Sequence, residues 1–144
     1  VMPGLVGFGA IHSLAHDADI GLPIMAHPSF LGPYVLSPDT GFSHGMMFGT
    51  LARLAGADIS VFPNVGGRFG FSTAECEEIA RSCSAPGGYG APILPSPGGG
   101  MTPERLPDMI RMYGHDCVYL LGGSLLRAGS GIGAFIAALR EKLD

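Results

Sequence analysis

The chain has one lysine in its 144 residues, Lys142. It falls in what reads as the terminal helix, so a Schiff-base catalyst has no candidate at a strand end and would have to lie outside these residues. Cations in general are few and scattered. Eight Lys and Arg stand against twelve Asp and Glu, for a formal net charge of −4. Binding a phosphate backbone requires clustered cations, so nucleic acid is excluded as a partner while a small anionic ligand is not. An acidic cluster is missing too: Asp17, Asp19, Asp39 and Asp58 are scattered and the other acids fall mostly on expected helices. No complete metal site is therefore expected within the segment. Cys76, Cys83 and Cys117 show no C-x-x-C spacing and are odd in number, which points to a reducing compartment and buried structural thiols. No apolar stretch reaches the roughly 18 residues of a membrane span, and no signal peptide is visible. The expectation is a cytoplasmic protein without a membrane partner.

What the chain has in abundance is apolar residues, 47%, and glycine, 24 residues. Two glycine clusters organise it. Pro97-Gly98-Gly99-Gly100-Met101-Thr102-Pro103 and Leu121-Gly122-Gly123-Ser124 each follow a short apolar run and lie one β/α unit apart. Strands are expected at Leu22 to His27, Ala57 to Phe62, Ala91 to Pro95 and Cys117 to Leu121. Helices are expected at Gly7 to Asp17, Gly41 to Ala55, from the capping-box string Ser72-Thr73-Ala74-Glu75 to Ser84, Thr102 to Tyr113 and Ser130 to Leu143. Met46, Met47, Leu51 and Leu54 recur at helical spacing in the second of these. Continuously apolar strands alternating with helices define an α/β fold with a parallel sheet. A whole (β/α)8 barrel needs about 250 residues and commonly binds phosphate between the loops after strands seven and eight, so the four units and their paired glycine turns read as its second half, strands five to eight. The opening Val1-Met2-Pro3-Gly4 carries no initiating methionine, and the chain reads as a fragment.

Parallel strands place their carboxyl ends together, and sites are built there. If the two glycine turns are neighbours, their bare N–H groups converge on a spot suited to phosphate, with Gly99, Gly100, Gly122 and Gly123 as its donors. His27 stands where a strand meets its loop, placed either to shuttle a proton or to bind a substrate oxygen; its plainer reading is a bond to a neighbouring carbonyl. Arg68 follows Gly66 and Gly67 on a loop free to close, and a guanidinium clamps carboxylate or phosphate bidentately; its plainer reading is a solvated loop arginine. His12 and His16 share a helix face at i, i+4 but lack the rest of a zinc motif. They and His44 read as surface histidines, and His115 as part of a turn.

These strings resemble the C-terminal barrel of the RuBisCO large-chain superfamily over essentially the whole chain. Leu22-Pro23-Ile24-Met25-Ala26-His27 looks like the fifth barrel strand, which ends in an active-site histidine. Leu54-Ala55-Gly56-Ala57-Asp58 with Val65-Gly66-Gly67-Arg68 looks like the sixth strand and its mobile loop. Gly99-Gly100 and Gly122-Gly123 match the phosphate-binding turns after strands seven and eight. A carboxylase has arginine where this chain has Pro28, histidine where an ungapped match gives Val61, and lysine where it has Arg68, a replacement that is not faithful where a compact charge is needed. His27-Pro28-Ser29-Phe30, Phe62-Pro63-Asn64 and Pro97-Gly98-Gly99-Gly100-Met101-Thr102 are closer to the RuBisCO-like proteins of form IV.

The resemblance implies an enzyme of phosphorylated keto-sugars or 3-oxo sugar-acid phosphates, working by Mg2+-dependent enolisation or decarboxylation, with the metal ligands upstream of Val1. It implies a homodimer or higher homo-oligomer, an N-terminal domain and early barrel strands outside these residues, and a segment inactive alone. Alternatives are a genuine ribulose-bisphosphate carboxylase, a 2,3-diketo-5-methylthiopentyl-1-phosphate enolase or methylthioribulose-phosphate isomerase, another phosphate-binding barrel enzyme, and a non-catalytic sugar-phosphate-binding protein.

Overall fold

The computed structural model describes residues 1–87 and 90–142. Helices α1 (Pro3–Val6) and α2 (Phe8–Ala15) lead into strand β1 (Met25–Ala26). A π-helical turn, Met46–Thr50, runs into α3 (Leu51–Ala55), followed by β2 (Ile59–Pro63), α4 (Thr73–Ser84), β3 (Leu94–Gly98) and α5 (Leu106–Tyr113). Helices α6 (Gly122–Arg127) and α7 (Ile132–Arg140) close the described chain. The three strands pair in parallel and in chain order, Ala26 opposite Ser60 and Phe62 opposite Pro97.

The core lies between the sheet and the helices that cover it. Strand β2 is central, with Ser60, Val61 and Phe62 all buried. Helix α4 presents Cys76, Ile79 and Cys83, and α5 presents Leu106, Met109 and Tyr113; both sets are spaced i, i+3, i+7, the period of one helix face. Helix α4 starts with the expected capping box: Ser72 Oγ accepts from the Glu75 N–H at 3.3 Å and Glu75 Oε2 accepts from the Ser72 N–H at 2.7 Å. The turn into β2 is made by Gly56 at φ 91°, a left-handed helix end that glycine adopts without a Cβ penalty.

The expected elements shift where side chains or prolines intervene. The strand from Leu22 shrinks to two residues, because Pro23 has no N–H and the Ile24 N–H is taken by the Asp58 carboxylate at 2.7 Å. The strand expected at Ala91 to Pro95 lies three residues later, ending at Gly98 rather than Pro95. The fourth strand, Cys117 to Leu121, is reduced to a parallel bridge between Gly98 and Leu120. Its cause lies in β3. Leu94 and Gly98 bond toward β2, so Pro95 and Pro97 face the other side, where neither has an N–H to give. There the Val118 N–H still reaches the Pro95 carbonyl at 3.0 Å, and the Ser96 hydroxyl donates to the Val118 carbonyl at 2.9 Å in place of a Pro97 amide.

Among the helices, the leading one, expected over Gly7 to Asp17, spans Phe8–Ala15, and a short extra helix, Pro3–Val6, precedes it across Gly7 at φ 82°. The π turn rotates the buried face of the second onto Met47, Phe48, Ala52 and Ala55, leaving Met46 and Leu54 exposed, contrary to the spacing of the apolar residues. Thr102 does not cap α5, which begins at Leu106 with Pro107 in its first turn. Gly122 and Gly123 are not a loop but the opening of α6. The last helix spans Ile132 to Arg140, and Leu143 lies outside the described residues.

Candidate functional site

The carboxyl ends of the parallel strands open into a cleft of about 1140 Å3. It is lined by His27, Arg68, Gly99, Gly100, Gly122 and Gly123 together. His27 directly follows β1, and its exposed ring is held from behind: Nδ1 lies 2.9 Å from the Ser29 hydroxyl and accepts the Ser29 N–H at 3.3 Å. Phe30, two residues beyond Pro28, is the one non-glycine residue with a left-handed φ, 65°, among the described residues, and it too lines the cleft.

The first glycine turn is shaped by conformations that other residues rarely adopt, Gly99 at φ 90° and Gly100 at φ 64°. A Cβ on Gly100 would lie 2.8 Å from the Gly66 carbonyl oxygen. The second cluster is different. Gly122 and Gly123 have no positive φ, and a Cβ on Gly123 would meet only the Arg127 guanidinium, at 3.6 Å. The buried Ser124 joins the two clusters, its hydroxyl 3.1 Å from the Met101 carbonyl and 3.0 Å from that of Leu121.

Arg68 is exposed on the loop after β2, its guanidinium 4.9 Å from the centre of the Phe69 ring. The root of that loop is Asn64, completely buried. Its N–H reaches the Gly98 carbonyl at 2.9 Å, its side chain accepts from the Tyr113 hydroxyl at 2.7 Å, and its Nδ2 lies against the sulfurs of Met101 and Met109 at 3.0 and 3.2 Å.

Two cleft residues escaped the sequence reading. His44 is not a surface histidine. Its side chain is 12% exposed, with Nδ1 3.5 Å from Glu75 Oε1 and its ring edge-on to Phe71 at 4.5 Å. Nothing in a lone histidine string announces this, because Glu75 lies 31 residues away in sequence. Arg127 folds back along α6 toward Gly123, four residues earlier on the same face, and this i, i+4 pairing was legible once α6 was known. His12 and His16 are exposed with their rings tilted against each other, 4.2 Å between ring centres, and His115 is exposed in a turn.

Electrostatics separate the structural groups from the reactive ones. The Ser72 N–H holds the Glu75 carboxyl below its ordinary range, so Glu75 is ionised beside His44. Burial pushes Cys83 and Cys117 up to about 12 and raises Cys76, so these thiols are poor nucleophiles at neutral pH. Burial raises the Tyr113 hydroxyl as well, which suits its role as a donor to Asn64. Among the described residues no group of three or more His, Cys, Asp or Glu could hold a metal ion, and no helix is long and apolar enough to cross a membrane.

A histidine, arginines and both glycine clusters thus share one cleft at the carboxyl ends of parallel strands, the place where α/β folds build small-molecule sites. Comparison with known proteins narrows the class. No family model matches the chain. It is 38% identical over 129 residues to the ribulose bisphosphate carboxylase-like protein 1 of Rhodopseudomonas palustris, covering 90% of this chain and 33% of that protein. It is 40% identical over 128 residues to the 5-methylthioribulose-1-phosphate isomerase of Rhodospirillum rubrum, covering 89% and 32%. The crystal structure of a rubisco-like protein, MtnW, from Alicyclobacillus acidocaldarius superposes with a TM-score of 0.83 at 32% identity, over 94% of this chain and 35% of that one. The chain belongs to the RuBisCO large-chain superfamily, among the RuBisCO-like proteins. It spans about a third of the length of the curated relatives it matches.

Proposed function

We propose that this chain is the phosphate-and-loop part of a RuBisCO-like enzyme that acts on a phosphorylated keto-sugar or 3-oxo sugar-acid phosphate by enolisation or decarboxylation. On this reading it is the C-terminal half of a (β/α)8 barrel, strands five to eight, in a protein that also has an N-terminal domain and assembles as a homodimer or larger. The observation that carries the proposal is the meeting of His27, Arg68 and both glycine clusters in one cleft.

Each residue then has a task. The exposed backbone around Gly99, Gly100, Gly122 and Gly123 receives the phosphate, because amides free of side-chain cover approach an anion closely. His27 offers a hydrogen bond to a substrate oxygen. The Arg68 loop closes over the bound substrate and excludes water. Mg2+, the cation the family resemblance implies, would supply electrophilic stabilisation of developing oxyanion charge, and no group of three or more His, Cys, Asp or Glu among the described residues could hold it.

The isomerase relative favours isomerisation of a methylthio-ketopentose phosphate as a second reading of the same site. The test is titration of the protein at its full natural length with a phosphorylated ketose and its dephosphorylated analogue, followed by exchange of the α-proton in D2O. Tight binding confined to the phosphorylated ligand, with exchange, is expected. Equal affinity for both ligands overturns the phosphate assignment, and binding without exchange leaves a sugar-phosphate-binding protein.

A further inference from the structure

We propose that Arg105 is a positioning residue that couples the Arg68 loop to the Gly99–Gly100 turn, so that an anion held on the turn sets the position of the loop. The inference rests on the reading of that turn as a phosphate site.

Arg105 stands immediately before α5, half-buried, and divides its guanidinium between two separate main-chain segments. Nη1 donates to the Gly100 carbonyl at 2.6 Å and Nη2 to the Val65 carbonyl at 2.8 Å. Deeper in the fold the two segments are held by the Asn64 N–H on the Gly98 carbonyl. Above that point, among the described residues, Arg105 makes the hydrogen bonds that join loop residues 65–70 to the turn. The glycines on either side make room for it. A Cβ on Gly66 would lie 3.2 Å from both terminal nitrogens of Arg105, and one on Gly100 would lie 2.9 Å from Nη1. Gly66, at φ 73°, also bends the loop directly after the tethered carbonyl, two residues before Arg68.

The coupling follows from peptide planarity. The Gly100 carbonyl and the Met101 N–H belong to one rigid plane, so an anion that orients this plane also fixes where the carbonyl points. The guanidinium is a planar fork, so a shift at one arm is passed to the other and reaches the Val65 carbonyl at the root of the loop. The two arms of the fork hold the two carbonyls at a fixed spacing, whereas a lysine ammonium at this position is a single compact charge on a flexible stem, without that rigid spacing.

The Arg68–Phe69 bond is exposed and is a trypsin site, which gives a readout of loop position independent of turnover. Trypsin cleavage at this bond is followed in the protein at full natural length, with and without inorganic phosphate, for wild type, Arg105→Ala and Arg105→Lys, and phosphate affinity is measured calorimetrically on the same samples. In wild type, phosphate should slow cleavage by roughly fivefold or more, the lower end of ordinary coupling between sites. Both variants should still bind phosphate but lose most of this protection. Full protection retained in a folded variant overturns the coupling, as does a wild type that binds phosphate without protection. A wild type that fails to bind phosphate overturns the phosphate assignment of the turn, and the proposal with it. Should Arg105→Ala fail to fold, Arg105→Lys, which keeps the charge and most of the volume, decides.

Discussion

Ser29 holds His27 in one tautomer. Its backbone N–H points at His27 Nδ1 from 3.3 Å, with its hydroxyl 2.9 Å from the same nitrogen. A backbone N–H can only donate, so Nδ1 is the bare nitrogen and the proton of the neutral ring sits on Nε2. Under the proposed function, a ring with its proton on Nε2 would serve as a hydrogen-bond donor to a substrate oxygen. His27→Gln keeps an N–H near the Nε2 position and should retain most of the affinity for a phosphorylated ketose, whereas His27→Ala should lose it. Equal loss of turnover in the two variants, with affinity unchanged in both, would instead identify His27 as a base.

The two glycine clusters predict different outcomes for the same substitution. Gly123→Ala adds a methyl group with only the Arg127 guanidinium nearby and no backbone strain, so melting should be unchanged while KM for a phosphorylated substrate rises and that for a dephosphorylated analogue does not. Gly100→Ala must hold a left-handed φ and a contact of 2.8 Å to the Gly66 carbonyl, which costs about 1 kcal/mol or more of stability. It should therefore lower the melting temperature as well. A Gly123→Ala protein with equal loss for both ligands would leave these glycines a role in the fold alone.

The strand–helix alternation and the Ser72 cap were legible because each is local: an apolar run, or a four-residue string that satisfies its own backbone donors. The failures are non-local. The near loss of the fourth strand depends on which side of β3 Pro95 and Pro97 face, and that side is set by the register with β2. The burial of His44 needs Glu75 and Phe71, which arrive from another element. Gly122 and Gly123 read as a loop because glycine is a poor helix former, yet Ser124, buried against Met101, anchors the start of α6 there.

Arg127 and Arg68 approach the cleft from different elements, and neither makes a salt bridge among the described residues. Arg127→Ala should weaken inorganic phosphate binding and flatten its dependence on ionic strength, because the lost contribution is coulombic. Arg68→Ala should lower turnover with little change in melting, since an exposed loop side chain contributes little to folding. Unchanged kinetics in Arg68→Ala would return it to a solvated loop arginine.

Glu75 serves the helix and the cleft at once, which gives a pH-dependent prediction. Its Oε2 caps Ser72 while Oε1 faces His44. Its folded-state pKa is depressed, chiefly by the Ser72 N–H. A depressed acid contributes stability that is fully present above its unfolded value, near 4.5, and is lost as the pH falls through the lower folded value. Glu75→Gln can still accept the Ser72 N–H, because glutamine also completes a capping box, but it has no charge to lose. The melting difference between wild type and Glu75→Gln should therefore be present at neutral pH and vanish in the acid range, whereas Ser72→Ala should cost about 1 kcal/mol with less dependence on pH. A wild type and Glu75→Gln pair whose difference stays constant down to the acid limit would show that the carboxylate charge contributes nothing, and that the cap works through hydrogen-bond geometry alone.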